Sequence, residues 1–302
     1  MIHGILNVYK EKGYTSHDVV AKLRRITGQK KIGHTGTLDP EAEGVLPVCL
    51  GKGTKLCELL TDKEKTYEAV LLLGTSTDTQ DITGTVTGEG DASKLTEEQV
   101  KDAVSSFAGE YEQLPPMYSA LKVNGKKLYE LAREGKVVER KTRKVKIHEI
   151  EILKLSLPRV RIRVSCSKGT YIRTLCHDIG EALGCGGCME SLIRTRVGRF
   201  PMEESMTLET IEKRMEEGTL EDYLIPVDEM FPGAPKVFVK KGAQNAARNG
   251  GVLMADMMRE AYAFPDGQRV RLYDEEGRFI ALYQWKECNR EYRLVKMFFP
   301  EI

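Results

Sequence analysis

No stretch of this chain stays apolar long enough to cross a bilayer. Its most apolar runs, residues 45–50 and 69–73, fall far short of the ~20 residues a membrane helix needs. The N-terminal Met1-Ile2-His3-Gly4 leads straight into a strand-like segment with no basic n-region and no cleavage site. No export signal is apparent, and a cytoplasmic location with no membrane contact is expected. Cysteine is sparse as well. Seven residues, an odd number in a chain read as unexported, argue for reduced thiols over a disulfide framework. Cys185 and Cys188 form the only CxxC, and cysteines 49, 57, 166, 176 and 288 offer no second pair at zinc spacing, so no metal site is expected. Leu46 stands five residues before Gly51-Lys52, where a phosphate-cradling loop requires glycine, which excludes P-loop chemistry.

A surplus of either charge is also missing: 46 Lys and Arg face 45 Asp and Glu, for a net charge of +1. The distribution is far less even. Residues 1–35 hold seven basic and two acidic side chains, residues 122–146 ten and three, residues 154–199 nine and three, whereas residues 203–230 hold ten acids and two bases. If the basic segments share a face, that face suits phosphates, with the acidic segment turned away; if not, they are ordinary solvated surfaces. What the chain has in quantity is 41% hydrophobic and 30% charged residues over 302 positions. That balance excludes wholesale disorder, and at ~150 residues per domain it leaves room for about two domains.

Residues 4–9 read as a short buried strand. Thr15 with Asp18 forms a capping box for a helix whose apolar face is Val19, Val20, Leu23 and Ile26 and which Gly28 ends. Residues 67–73 read as an apolar strand buried on both faces. A second capped helix opens at Thr96, with Gln99 as its box partner and Leu95 and Val100 as a hydrophobic staple, and is expected to run to Gly109. From Gln113 onward the composition changes to Pro115-Pro116, an Asn124-Gly125 turn and a basic stretch poor in core residues, read as an insertion over about 109–145. Residues 159–166 alternate strictly, with Val160, Ile162, Val164 and Cys166 on one face and arginines on the other. The helix after Gly169 turns Ile172, Leu175, Cys176, Ile179 and Leu183 inward and leaves Arg173 off that face. Pro226 and Pro232-Gly233-Ala234-Pro235 read as a linker, and beyond it residues 269–273 and 278–284 form a hairpin. Strands separated by helices without a regular βαβ rhythm give an α+β class. The domains expected are 1–234 and a β-rich 235–302.

Residues 33–51, GHTGTLDPEAEGVLPVCLG, pack four glycines and two prolines into 19 positions. Such punctuation fixes a loop, and Pro40 biases Asp39 away from the helical region. On residues alone Asp39 is either a turn former or a carboxylate presented on an irregular backbone. The segment resembles the active-site motif of bacterial tRNA pseudouridine synthases of the TruB type, which isomerise the T-loop uridine at tRNA position 55. Further segments resemble family motifs in the expected order: Gly4 to Lys10, Lys65-Thr66-Tyr67-Glu68-Ala69, Gln113 to Lys122, Cys166 to Arg173, and Leu192-Ile193-Arg194-Thr195-Arg196. The resemblance spans roughly residues 1–230, and the C-terminal segment resembles, more weakly, a PUA-like RNA-binding domain.

The resemblance implies a pseudouridine synthase fold with one mixed, mostly antiparallel sheet, no metal and no organic cofactor. It implies a tRNA T-arm as the partner, a monomer, and no obligate protein partner. Asp39 would act at ribose C1′ by covalent addition, by charge stabilisation or by removing a C2′ proton, and all three stay open. Arg173 would pair with it, unless Arg173 is a plain surface arginine. The uridine must leave its stack before reacting. His34 would fill the vacated space, Tyr67 would stack on the base with a candidate proton-transfer role at C5, Tyr171 and Leu192 would line the pocket, and Lys10 would support the loop. Each has an ordinary packing alternative. Two other functions fit part of the pattern: a non-catalytic tRNA-binding or tRNA-folding protein, and a guide-RNA-dependent synthase.

Overall fold

The computed structural model describes residues 1–123 and 125–298. Asn124, the first residue of the expected turn, and the last four positions of the C-terminal region lie outside the described residues. The first part of the chain gives β1 (Gly4–Lys10), α1 (Ser16–Thr27), β2 (Ile32–His34), β3 (Glu43–Leu50), α2 (Cys57–Thr61), β4 (Lys65–Leu73), a hairpin of β5 (Thr75–Thr77) and β6 (Val86–Glu89), and α3 (Glu97–Ser106). Then come β7 (Gly109–Gln113), a small hairpin of β8 (Lys122–Val123) and β9 (Lys126–Lys127), α4 (Leu128–Arg133), β10 (Arg143–Ser156), β11 (Arg159–Cys166), α5 (Ile172–Ala182), β12 (Gly187–Val197), β13 (Phe200–Pro201) and α6 (Leu208–Glu216).

Both expected capping boxes form, Thr15 with Asp18 and Thr96 with Gln99, and Gly28 ends α1 at φ 63°. The second helix stops at Ser106, three residues before the expected glycine, because Phe107 turns in to pack on Tyr111. The main sheet runs β1-β3-β12-β4-β11-β10-β7, with β2 on β3 and β13 on β12. Every pairing is antiparallel except β3 with β12, which meet in parallel over Glu43–Ile193 and Gly44–Arg194. That seam divides the sheet. On one side α1 and α6 cover Leu6, Val8, Leu46, Val48 and Leu50; on the other α3 and α5 cover Ala69, Leu71, Ile162, Val164 and their neighbours.

Strand β4 corrects the expectation of burial on both faces. Tyr67, Ala69, Leu71 and Leu73 are buried, but Glu68 on the opposite face pairs with Arg161 (2.7 Å) and Arg163 (3.0 Å). Register sets Arg161 beside Val70 and Arg159 beside Leu72, so arginine stems cover the remaining apolar surface. Burial on both faces occurs instead in β1 and β3. Ile5, Val45 and Cys49 point away from the helices into a cluster shared with Leu282 and Phe298 of the C-terminal region.

That region has β14 (Lys236–Phe238), α7 (Gln244–Arg248), β15 (Leu253–Met254), β16 (Arg269–Tyr273), β17 (Phe279–Lys286) and β18 (Glu291–Met297). Its sheet order is β14-β16-β17-β18-β15 around its own core of Val237, Ala247, Val270, Ile280 and Tyr283. The proline-rich segment before it is fastened down. Arg271 donates to Ala234 O (2.7 Å), the Tyr273 hydroxyl donates to Asp228 (2.6 Å), and Val227, Ala234 and Phe231 join the interface cluster.

Two further expectations change. The ends of the 109–145 segment belong to the sheet, since residues 109–113 pair with 143–147, so the excursion narrows to 114–142. The acidic segment does not turn away from the basic ones: α6 packs on α1, with Lys22 and Glu212 2.6 Å apart. Arg159 likewise pairs with Glu190, and Arg163 with Glu68 and Glu151. Much of the basic charge of the third basic segment is thus already matched.

Candidate active site

Loop 35–42 connects β2 to β3 beside the parallel seam, and its backbone is held from three directions. From below, Arg194 of β12, almost fully buried, donates to Val45 O (2.7 Å), Gly36 O (3.3 Å) and Thr37 O (3.4 Å). From α1, the buried Ser16 hydroxyl accepts from Leu38 N–H (2.9 Å) and donates to Leu38 O (3.4 Å). From β1 and the turn after it, Lys10 Nζ (3.1 Å) and Gly13 N–H (2.9 Å) both donate to Pro40 O. Leu38 and Ala42 drop into the core with Tyr67 and Leu192. Glycine is required at Gly44, which has φ +105° and whose Cβ would lie 2.2 Å from Arg194 O. With its neighbours fixed, Asp39 is left presenting a carboxylate that is 42% exposed.

Arg173 opens α5, off the apolar face as the sequence indicates, yet it is no surface residue: its side chain is 7% exposed. Nε lies 3.1 Å from Asp39, and the other nitrogens reach Asp81 (3.1 Å), Thr79 O (3.2 Å) and Tyr118 O (2.8 Å). One cation therefore bridges two carboxylates while carbonyls hold it in orientation. A planar guanidinium does this where a lysine ammonium would not. Arg173 meets Asp39 through Nε, at Oδ2.

Tyr67 lies on β4 between Val164 and Arg194, with the Arg194 guanidinium within electrostatic reach. Burial raises the phenol above its ordinary value, so it is neutral at physiological pH. Arg194 has no acceptor to take a proton onward. A proton-transfer role for Tyr67 therefore requires prior loss of its own proton, whereas stacking requires only its ring.

His34 ends β2, half-buried, accepting from Gly36 N–H (3.3 Å) with its ring edge-on to His17 at 5.5 Å. Burial, His17 and Arg194 lower its basicity, and the neutral ring that results suits an apolar stack. Tyr171 caps α5 within electrostatic reach of Arg173 and Asp39. Leu192 is buried opposite Ala69. Lys10 spends its ammonium on Tyr14 O (2.6 Å), Glu11 O and Pro40 O (each 3.1 Å). Burial pushes its pKa down to about 8 against the pull of Asp39 and Glu43.

All seven residues singled out from sequence thus gather around the Asp39 loop. Three others were missed. Ser16 and Asp81 carry no local signal, and Arg194 sits within the Leu192–Arg196 motif, where a cation in an otherwise buried strand position was the available clue. Among the described residues no cluster of three or more His, Cys, Asp or Glu has metal-ligand geometry, and no helix is long and apolar enough to cross a membrane.

Comparison with known proteins bears on the whole chain. Residues 24–172 match the TruB family pseudouridylate synthase N-terminal domain, and residues 173–232 match the tRNA pseudouridylate synthase B C-terminal domain. The chain is 54% identical to tRNA pseudouridine synthase B of Lachnoclostridium phytofermentans over 98% of its own length and all of that protein, and 44% identical to the Bacillus pumilus protein of the same name over 94% and 93%. Among solved structures, a Cbf5-Nop10-Gar1 complex aligns with a TM-score of 0.71 at 30% identity, covering 99% of this chain and 85% of that one. An H/ACA RNP bound to a substrate RNA containing 2′-deoxyuridine aligns equally well at 28% identity, covering 99% and 86%. The chain belongs to the TruB family of pseudouridylate synthases.

Proposed function

We propose that the chain isomerises the uridine at position 55 of the tRNA T-loop to pseudouridine, acting as a monomer on the T-arm without a guide RNA. The observation that carries this reading is the Asp39–Arg173 pair, a half-exposed carboxylate held on a pinned loop by a buried guanidinium. The reaction breaks the bond from uracil N1 to ribose C1′, turns the base and joins C5 to C1′. It needs an anionic oxygen at the sugar and no redox chemistry. Asp39 has an oxygen to offer there as nucleophile, as charge stabiliser or as base at C2′. Arg173 keeps that carboxylate oriented.

The uridine reaches this site by flipping out of its stack. His34 at the end of β2 fills the space left in the RNA, and the Tyr67 ring takes one face of the base, with Tyr171 and Leu192 as further contacts. Lys10 supports the loop through Pro40, and residues 235–302 form a PUA-like RNA-binding domain fastened to the 1–234 catalytic domain. The relatives of 54% and 44% identity carry tRNA in their names, which favours tRNA over the setting of the H/ACA RNP and Cbf5-Nop10-Gar1 complexes, whose chains align at 28–30%.

The test is to incubate the purified chain alone with an unmodified T-arm stem-loop and map pseudouridine by chemical probing. Product at the T-loop uridine is expected. Binding without product would leave a tRNA-folding protein, and product only with an added guide would leave the ribonucleoprotein reading.

A further inference from the structure

Gln113 is the last residue of β7, nearly fully buried, at the point where the 114–142 excursion leaves the sheet and opposite Arg143, where it returns. Its carboxamide meets the backbone of Tyr171 at both ends: Tyr171 N–H donates to Oε1 (2.8 Å), and Nε2 donates to Tyr171 O (2.9 Å). The second Nε2 hydrogen goes to the Tyr111 hydroxyl. Both N–H donors of the amide are thereby used. A side chain that completes a backbone donor–acceptor pair in this way replaces a β-bridge, and two bonds fix orientation where one would leave rotation free. Tyr171 is the cap of α5, and Arg173 follows two residues later. The same guanidinium donates to Tyr118 O (2.8 Å), inside the excursion. The excursion is therefore tied to the Asp39–Arg173 pair twice, once at its root and once within.

We propose that Gln113 is a positioning residue for the isomerisation, transmitting the seating of the excursion on RNA to Tyr171 and Arg173 and through them to Asp39. This rests on the tRNA substrate reading. Two variants test it. Gln113→Met keeps length and apolar bulk but offers no N–H donor and only a weak sulfur acceptor. Gln113→Glu keeps shape: ionised, it sets a carboxylate against the Tyr171 carbonyl, whereas protonated it restores the donor–acceptor pattern toward Tyr171. Burial beside that carbonyl favours the protonated form, so the variant titrates above the ordinary carboxyl range.

Single-turnover product formation at saturating enzyme, hairpin affinity and thermal melting are measured at about pH 6 and about pH 8, a window that spans such a raised carboxyl pKa. Gln113→Met is expected to slow single turnover about tenfold to thirtyfold, the effect of two ordinary hydrogen bonds. Its affinity is expected to stay within about threefold, since phosphate contacts dominate binding. Gln113→Glu is expected to be slow at the higher pH and to recover at least about fivefold, relative to the parent, at the lower one.

Three results would overturn the proposal: a Gln113→Met rate within about threefold of the parent, a loss confined to affinity, or a Gln113→Glu profile parallel to the parent's. Should Gln113→Met fail to fold, the Gln113→Glu pH comparison decides alone. If neither variant folds at either pH, Gln113 belongs to the fold and not to positioning. An inactive parent overturns the substrate reading and the proposal with it; an active parent with unaffected variants overturns the proposal alone.

Discussion

Residues 33–51 and residues 113–146 both read from sequence as irregular, the second strongly basic, and the structure treats them in opposite ways. Around the first, buried cations from neighbouring strands point at its carbonyl oxygens: Lys10 at Pro40, Arg194 at Gly36, Thr37 and Val45. In the second, Lys141 and Lys144 lie exposed, while Glu134 pairs with Lys126 and Lys136. Buried cations that donate to several backbone carbonyls make a loop rigid. Exposed ones leave their charge to an outside anion. The comparison says which half should do chemistry and which should grip.

The largest break in that division comes at Asp39. Asp39→Asn preserves size and removes charge, so product should fall to background while hairpin affinity persists, because affinity lies with phosphate contacts elsewhere. Turnover by this variant in the T-arm assay would remove Asp39 from the chemistry.

Arg173→Met comes next. It leaves the Asp39 and Asp81 carboxylates without the cation both face, and a displaced reacting group costs about 10²-fold in rate. The loss is expected in single-turnover rate, accompanied by a lower melting temperature, since removing one partner of a buried pair strands the other. A variant that melts lower but turns over normally would make Arg173 structural only.

A pH series sharpens the contrast further. Above pH about 8 Lys10 loses its charge. The neutral amine keeps two of its three hydrogens, so one carbonyl contact weakens. Single-turnover rate should fall as pH rises through that value, and Lys10→Arg should move the fall upward. Stability should move the other way. Between about 8 and the ordinary lysine value of 10.5 the unfolded chain binds more protons than the native one, so Lys10, with Lys65 at about 8, makes the unfolding free energy rise with pH. Activity and stability falling together through this window would remove the assignment to Lys10.

The smallest effect belongs to the excursion. Lys141→Ala with Lys144→Ala should flatten the salt dependence of binding by about one unit for each phosphate left without its cation, with single-turnover rate at saturation unchanged. An unaltered slope would make these residues plain solvated surface.

Signals contained within a few residues were legible in the sequence. The capping boxes at Thr15 and Thr96 and the strict alternation of residues 159–166 each need only neighbours three or two positions away, and they formed as read. Asp39 stood out through the motif around it. The residues that hold it did not, because their partners are remote: Arg194 reaches Val45 across 149 positions, and Gln113 reaches Tyr171 across 58. Burial on both faces was assigned to β4 on composition, whereas Glu68 and the arginines beside it mark an open face. The proline-rich segment before Lys236 carried every sign of a free tether, and the apolar surface offered by Leu282 and Phe298, with the hydrogen bonds from Arg271 and Tyr273, explains why it is not one.

The parallel seam has a consequence in time. Glu43 and Gly44 can meet Ile193 and Arg194 only after about 150 intervening residues have been made, since the register sets those partners that far apart. Chains emerge from the ribosome in order at about 5–20 residues per second. Until β12 has emerged, the Asp39 loop lacks Arg194 beneath it, and the helix that brings Arg173 lacks one of the strands it packs on. A nascent or truncated chain therefore holds the motif without the pocket, and competence toward RNA arrives only with a nearly complete catalytic region.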